Sequence, residues 1–467
     1  TVTDPVLAKE KQVVKNEKRQ GVDNQPYGHT WAVIGENLYP EGHPYSWEVI
    51  GSLEDLQNAT LQDVKDFFNR WYVPNNVTLT ISGDFDTDQA TEWVKKYFDE
   101  IPAGEAIPKM EKQPVTLEAS KLLYYEDNFA RLPQLTYAWP GVPMYHPESY
   151  ALEVLAQYLS QGKRAPLYKK LVEELQLTDD VGMFNYNSEI AGQVMLSVTA
   201  YNNIDLDQIS QAVEETFAAF EQEGISEEDL NRIKAGQETA FYNGLSSVLG
   251  KGFQLAQYEI FAGDPGYINE DVQRILNVTA EDVMSVFKKY VKDKHYVATS
   301  FVPKGQVELA IENAVLANVT EEQIIEGAED EVNPNQVTTY EKTPSSFDRR
   351  QEPPYGESPD IVVPELWKNE MNSGISVLGI ENHEVPLVQF ELMLKGGLLL
   401  EDPSKIGVSN MLAQLMTRGT ASKTPAEFES LIESLGASIN MNASDQAVTI
   451  RGNTLAKNYD QIMQLVT

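Results

Sequence analysis

The sequence predicts a fold of mixed helices and strands, α+β or α/β, built from repeated units. Amphipathic helical segments alternate along the chain with segments in which apolar and polar residues alternate. Two pairs of segments in distant parts of the chain also resemble each other. The chain has 467 residues, of which 42% are hydrophobic. That length and composition allow several domains with sizeable cores.

Predicted helices and strands follow one another in a regular order. We expect helices at 59–72 and 87–99, with a strand at 76–85 between them. A Pro-rich linker at 101–114 separates these elements from the next group. That group comprises strands at 133–139, 192–201 and 295–302, helices at 147–160 and 165–175, and a helical block at 205–290.

A second linker divides the chain further on. Residues 326–359 are polar, acidic and Pro-rich, which is typical of an extended inter-domain linker. Strands and helices then resume as far as Thr467, which falls within a helix-like pattern. We therefore expect both ends of this sequence to lie inside a longer protein.

The internal repeats concern one helix and one strand. The segment TLQDVKDFFNRWY at 60–72 is similar to TAEDVMSVFKKYV at 279–291. More weakly, LPQLTYAWPG at 132–141 is similar to VPLVQFELMLKG at 385–396, and each leads into a predicted helix. These pairs predict that similar α+β units recur along the chain.

The charge balance excludes several classes of partner. The net charge is −35, so no basic surplus exists for binding nucleic acid phosphates or an anionic membrane surface. No apolar run reaches the roughly 20 residues that a membrane-spanning helix needs. The chain contains no cysteine, which excludes thiol catalysis, disulfides and cysteine metal sites.

The first helix carries an unusual stripe. Asp4 and Pro5 are typical of a helix start, and Gly21 of a helix stop. Between them Val6, Glu10, Val13, Val14 and Glu17 share one face, whereas the lysines occupy the other. The sequence therefore predicts two glutamates pointing inward, seven residues apart.

Two explanations of these glutamates remain open from the residues alone. A buried carboxylate is paired, hydrogen-bonded, protonated or bound to a metal. A salt bridge is the plainer reading, and zinc ligation completed by histidines is the sharper one. The five histidines, however, lie too far apart to form an H-x-x-E-H or H-E-x-x-H motif: His29, His43, His146, His295 and His383.

The following residues closely resemble the pitrilysin/insulinase family of zinc metallopeptidases, the inverzincins. The likeness runs through nearly the whole chain, and its shared features are Val13-Val14-x-Asn16-Glu17, Gly42-His43-Pro44-Tyr45, Val49-Ile50-Gly51, Tyr72 with Pro74-Asn75-Asn76, and Gly83-Asp84. The resemblance implies repeated α/β-sandwich domains in two halves that close around a peptide.

In that family two histidines of an H-x-x-E-H motif and a later glutamate bind zinc, and another glutamate lies seven residues before the later one. Glu17 and Glu10 match these two positions, so the resemblance implies that Glu17 is the third Zn²⁺ ligand and Glu10 a supporting residue around it. The H-x-x-E-H motif, with both histidines and the general base, would lie upstream of Thr1. No catalytic residue is expected in this chain itself. His29 and His43 match family positions that are not ligands.

The resemblance also divides the chain into domains. Residues 1–105 match the back part of a first, metal-bearing domain, 115–305 a second domain, 306–358 the inter-half linker, and 359–467 the front part of a third domain. In the third domain the family motif is replaced by GVSNMLAQLMTRGT at 407–420, with Asn410, Ala413 and Gln414 at the motif positions. This half is therefore expected to be catalytically dead.

An Arg and Tyr pair that the family uses near its active site is also missing, because the matching positions hold Val172 and Asp179. In tandem members this pair comes from a fourth domain, which would lie beyond Thr467. The missing first and fourth regions would belong to the same protein.

The resemblance implies a zinc-dependent endopeptidase of peptides, of which this chain is an inactive part. The alternative is a non-catalytic relative of the same fold that holds peptides or serves a structural role. The intact Glu10 and Glu17 pair favours the enzyme. Tandem members with a similar linker are bacterial, so we expect export, most simply to the periplasm.

Overall fold

The computed structural model describes residues 3–320, 344–352, 355–357, 360 and 362–467. Much of the predicted linker at 326–359 lies outside these residues. The first part of the chain is helical, and the helices predicted at 59–72 and 87–99 are confirmed. Its helices are α1 (Asp4–Lys18), α2 (Thr30–Leu38), α3 (Leu53–Asn58), α4 (Leu61–Trp71) and α5 (Thr87–Phe98).

Helix α1 continues further than predicted. After Lys18 it runs on as a π turn at Arg19–Asp23, in which Asn24 N donates to Arg19 O at 2.8 Å. Gly21 lies within this turn, so its prediction as the stop was wrong. A glycine costs a helix only about 1 kcal/mol, and the ion pair between Lys18 Nζ and Asp23 Oδ1 at 3.0 Å ties the two parts together.

The strand predicted at 76–85 is not formed. Residues 77–82 belong to no helix or strand, and Val77, Leu79 and Ile81 are 62%, 52% and 46% exposed. The alternating pattern is that of a half-buried strand. A strand also needs a neighbour for its backbone hydrogen bonds, and no described strand lies beside this segment.

Residues 115–317, which we call the central unit, are built around one mixed sheet. The predicted strands at 133–139, 192–201 and 295–302 are confirmed, whereas two further long strands were not predicted. The described strands are β1 (Lys121–Asp127), β2 (Gln134–Gly141), β3 (Thr178–Asn187), β4 (Gly192–Ala200), β5 (Val297–Pro303) and β6 (Val315–Leu316). Their order is β3-β4-β2-β5-β1-β6, with β1 parallel to β5 and β6 and the other pairs antiparallel.

Both faces of this sheet are covered. One face packs against helices of the central unit in a large apolar core, which includes Leu155, Phe217 and Phe287. The other face packs against α2, whose Val33 and Ile34 contact a second core with Phe301. Every residue of β5 is buried, as expected for a strand covered on both sides. The helices are α6 (Ser149–Ser160), α7 (Pro166–Tyr168, with a π turn at Lys169–Glu174), α8 (Leu206–Glu223), α9 (Glu227–Gly244), α10 (Val248–Gln257), α11 (Ile268–Asn277) and α12 (Ala280–Val286).

The repeated helix begins in the same way at both places. In α4 the Thr60 side chain accepts from Asp63 N while the Asp63 carboxylate accepts from Thr60 N, and Thr279 and Asp282 make the same capping box at α12. This reciprocal arrangement satisfies two otherwise unpaired N–H groups. The similarity read from the sequence is thus a similarity of local structure.

Residues 366–467, the C-terminal unit, form a smaller α+β arrangement. Strands β7 (Leu366–Glu370) and β8 (Ser376–Ile380) pair with each other, and a second sheet has the order β10-β11-β9. As the weaker repeat predicted, β9 leads into a helix, α13, just as β2 leads into α6. The remaining elements are β9 (Leu387–Lys395), α13 (Val408–Met416), α14 (Pro425–Ser434), β10 (Ser438–Ala443), β11 (Ala447–Leu455) and α15 (Tyr459–Val466).

Glu153 of α6 makes stability depend on pH. Burial raises the pKa of Glu153 although Gln157 Nε2 donates to its Oε1 at 2.8 Å. Because the raised pKa belongs to the folded state, the stabilisation from this group is present below the ordinary carboxyl range and is lost as the pH rises through the raised value.

Replacement of Glu153 by glutamine should therefore stabilise the protein at neutral pH by on the order of 1 kcal/mol and have little effect in acid. The comparison is thermal unfolding of the variant and wild type at about pH 4 and about pH 8. Glu173→Gln, at an exposed position of the same unit, is the control. An equal effect of Glu153→Gln at both pH values would contradict the prediction.

Candidate functional site

Helix α1 presents its stripe of valines and glutamates to solvent. Val6 and Val13 are 43% and 48% exposed, and Glu10 and Glu17 are exposed beside them. The prediction that the two glutamates point inward was therefore wrong for the described chain. The face is nonetheless the predicted one: two carboxylates and two valines lie along a single side of the helix.

The opposite side of α1 is buried through its lysines. Lys15 and Lys18 are each 8% exposed. The Nζ atoms of Lys11 and Lys15 both donate to Gln57, at the end of α3, and Lys18 pairs with Asp23. Long lysine side chains can cover neighbouring surface with their methylenes while the ammonium group keeps a partner. This is why a pattern of charge alone placed the wrong side of α1 inward.

The spacing of Glu10 and Glu17 limits what they can do together. Seven residues of α-helix rise by about 10 Å, whereas a carboxylate oxygen binds zinc at about 2.0–2.2 Å. One of the two can therefore ligate an ion placed at either end of the stripe, and the other can act only on neighbouring groups. This agrees with one ligand and one supporting residue.

The two histidines nearest to this helix are engaged in the fold. His43 is buried, its Nδ1 accepts from Tyr45 N at 3.1 Å, and its Nε2 lies 3.3 Å from Gln113 O. His29 is also buried, lies edge-on to Tyr125, and has its Nε2 4.0 Å from Asp23 Oδ1. Neither histidine is on the exposed stripe of α1.

A zinc ion does not fit the described residues on their own. Within the described ranges, no group of three or more His, Cys, Asp or Glu side chains is placed so that it could hold a metal. Glu17 can offer one oxygen ligand, and a zinc site needs at least three protein ligands.

The motif positions of the C-terminal unit lie on α13. Asn410 and Gln414 are exposed, and Ala413 is buried at 1% exposure. An alanine methyl group cannot take up a proton, and amides are poor zinc ligands beside imidazole. Before the helix, the Glu401 carboxylate accepts from Gly407 N at 2.8 Å and Ser409 N at 2.6 Å, which lowers the pKa of Glu401. This part of the chain is thus ordered by local hydrogen bonds and has no catalytic set.

Comparison with known proteins decides the family. Residues 58–237 match the family model described as the Peptidase M16 inactive domain. The chain is 26% identical over 289 residues to the zinc protease PqqE of Helicobacter pylori, covering 61% of this chain and 64% of that protein. It is 21% identical over 299 residues to the uncharacterized zinc protease YmxG of Bacillus subtilis, covering 64% and 71% of the two chains. This chain belongs to the M16 peptidase family.

Solved structures agree with the M16 fold. The crystal structure of a protease from Helicobacter pylori matches with a TM-score of 0.60 at 24% identity, over 65% of this chain and 73% of that one. The periplasmic protease PqqL from Escherichia coli matches with a TM-score of 0.55 at 16% identity, over 100% of this chain and 52% of that one. The resemblance to the pitrilysin family and the α+β fold of M16 peptidases are thus confirmed. No described helix is both long and apolar enough to cross a bilayer.

Proposed function

We propose that this chain is part of a zinc-dependent endopeptidase that hydrolyses peptides through a metal-activated water. The exposed stripe of α1 carries the proposal, because it offers Glu17 and Glu10 on one open face with Val6 and Val13 beside them. In this proposal Glu17 is the third zinc ligand and Glu10 supports the site from outside the ligand set. The names of the relatives as zinc proteases support this assignment.

The remaining parts of the site are assigned outside this chain. Two histidines and a general base in an H-x-x-E-H motif are proposed upstream of Thr1, since the described residues do not assemble a zinc site. A segment carrying that motif would cover the open side of α1. It would also give residues 77–82 a neighbouring strand, which their alternating pattern requires.

The domain layout is proposed in the same terms. Residues 1–105 belong to the metal-bearing domain and 115–305 to a second domain. Residues 306–358 form the inter-half linker, and 359–467 begin a third, catalytically dead domain. The third domain would supply the opposite wall of a chamber, because Asn410, Ala413 and Gln414 provide neither ligands nor a base.

A non-catalytic relative that holds peptides or serves a structural role is the second candidate. The description of the matching model as an inactive domain favours it, as does the altered sequence at 410–414. The two candidates differ in what they predict for zinc.

The deciding experiment compares the complete gene product with the 467-residue chain. We expect the complete product to bind one zinc ion per chain, within the usual range of such sites, and to cleave an unstructured fluorogenic peptide in a chelator-sensitive way. The 467-residue chain should do neither. A complete product without zinc or hydrolysis would establish the non-catalytic candidate. Chelator-sensitive cleavage by the 467-residue chain would refute the placement of the missing ligands.

The proposed location is the periplasm of a bacterium. The printed description of PqqL from Escherichia coli as periplasmic supports it, since that structure matches this chain along its whole length. Cell fractionation of the source organism tests this, and recovery with cytoplasmic markers would contradict it.

A further inference from the structure

The central and C-terminal units meet along a joint made largely of polar groups. Helix α9 packs against α14. Across the joint, Arg232 Nη1 bonds to Glu433 Oε2 at 2.6 Å, and Thr239 Oγ1 donates to Gly436 O at 2.6 Å. Interfaces of this kind seldom exclude water completely.

A cavity of about 330 Å³ lies in this joint. Its walls come from α6 and α9 on one side and from α14, β10 and β11 on the other. The volume is at the lower end of the range for small-ligand sites. Side-chain amides dominate the lining and can donate and accept hydrogen bonds: Gln157, Gln161, Gln237, Asn243 and Asn453.

Two buried polar atoms of the lining residues have no hydrogen-bond partner within the described part of the chain. One is Nε of Arg232, a residue only 7% exposed whose other guanidinium nitrogens bond to Glu433 and Asp229. The other is Oδ1 of Asn453, whose Nδ2 donates to Asn243 Oδ1 at 2.7 Å. Buried polar groups are normally satisfied, so a free donor and a free acceptor on one cavity point to a ligand.

A peptide group has the complementary pair of atoms. Its carbonyl oxygen can accept from Arg232 Nε, and its N–H can donate to Asn453 Oδ1. Further peptide groups can bond to the glutamine side chains, which offer both functions. The charges of Arg232 and Glu433 already neutralise each other, so the cavity does not demand a charged ligand.

We propose that this cavity is a binding site for a short peptide, separate from the zinc site proposed above and independent of it. Because its walls belong to two units, a bound peptide would contact both and stabilise their docked arrangement. The site would thus sense peptide at the joint between the two units.

The test is calorimetric titration of triglycine into the 467-residue chain without added metal. Gly236 lies on α9 in the cavity lining, and a side chain added there meets no atom within 4 Å. Gly236→Leu should therefore fill the cavity and weaken triglycine binding by more than about tenfold. Gly244→Leu is the matched control, because Gly244 is also on α9 with open space but outside the lining.

A second pair of variants guards against misfolding of Gly236→Leu. Asn453→Ala removes the free acceptor and should weaken binding, whereas Asn442→Ala, at an exposed position of β10, should not. Tetraethylene glycol, which has no N–H group, should not bind. Failure of triglycine to bind the wild type, or equal binding to Gly236→Leu and Gly244→Leu, would overturn the proposal. Neither result depends on zinc, so the peptidase proposal would be unaffected.

Discussion

Glu17→Gln in the complete gene product should lose zinc and peptidase activity together, each by at least about a hundredfold. Loss of a supporting residue around a metal ligand typically costs about 10–100-fold in metal affinity or activity, and loss of a ligand should cost at least as much. Glutamine keeps the shape of the side chain but replaces a carboxylate with an amide, a poor zinc ligand. The measurements are zinc content after dialysis and the rate of cleavage of an unstructured peptide.

The neighbouring positions on α1 provide graded controls for this experiment. Glu10→Gln should show a smaller loss, of about 10–100-fold, as expected for a supporting residue. Lys9→Gln changes an exposed charge off the stripe and should leave both properties unchanged. Glu17 is exposed in the described chain, so its replacement should alter stability by less than about 0.5 kcal/mol. A Glu17→Gln variant that retains zinc and activity would remove Glu17 from the site.

Asp127→Ala should destabilise the central unit by about 3–5 kcal/mol. Asp127 ends β1, is 2% exposed, and accepts three backbone hydrogen bonds. Its donors are Tyr27 N at 2.7 Å, Phe129 N at 2.7 Å and Ala130 N at 3.0 Å. Alanine would leave all three N–H groups without an acceptor in a buried place. It would also release the segment before α2 from the sheet that it helps to cover.

Thermal unfolding and amide hydrogen exchange measure the effect of Asp127→Ala. The amides of Tyr27, Phe129 and Ala130 should lose protection first. Asp127→Asn retains one carbonyl oxygen and should fall between the alanine variant and the wild type. Asp179→Ala, at an exposed aspartate of β3, is the control and should be close to neutral. A loss below about 1 kcal/mol for Asp127→Ala would show that the three hydrogen bonds are replaced from elsewhere.

The sequence predicted best what is decided locally. Helices α4 and α12 were predicted with their starts, because Thr60 with Asp63 and Thr279 with Asp282 satisfy the first N–H groups from within four residues. The strand at 76–85 failed for the opposite reason, since a strand depends on a partner elsewhere in the chain. β1 and β3 were missed because LLYY has apolar residues on both faces and DDVGMFN has little alternation.

The site was predicted in part. Periodicity correctly placed Glu10 and Glu17 on one face of a helix, but it gives no information about which face is buried. That was decided by Gln57 and Asp23, which bind the lysines of the other face. The cavity beside Arg232 and Asn453 left no signal in the sequence, because its walls come from residues more than 200 positions apart.

The parallel pairing of β1 with β5 has a consequence for biosynthesis. These neighbouring strands pair Lys121 with Val297, and the contact of Tyr296 N with Ser120 beside them spans 176 residues. Contacts between such distant segments form slowly, because a long loop must close first. During translation β1 and β2 must wait for β5, which lies between them, and their apolar faces stay open meanwhile. The nascent chain therefore depends on protection by chaperones, or on rapid completion, until β5 has emerged from the ribosome.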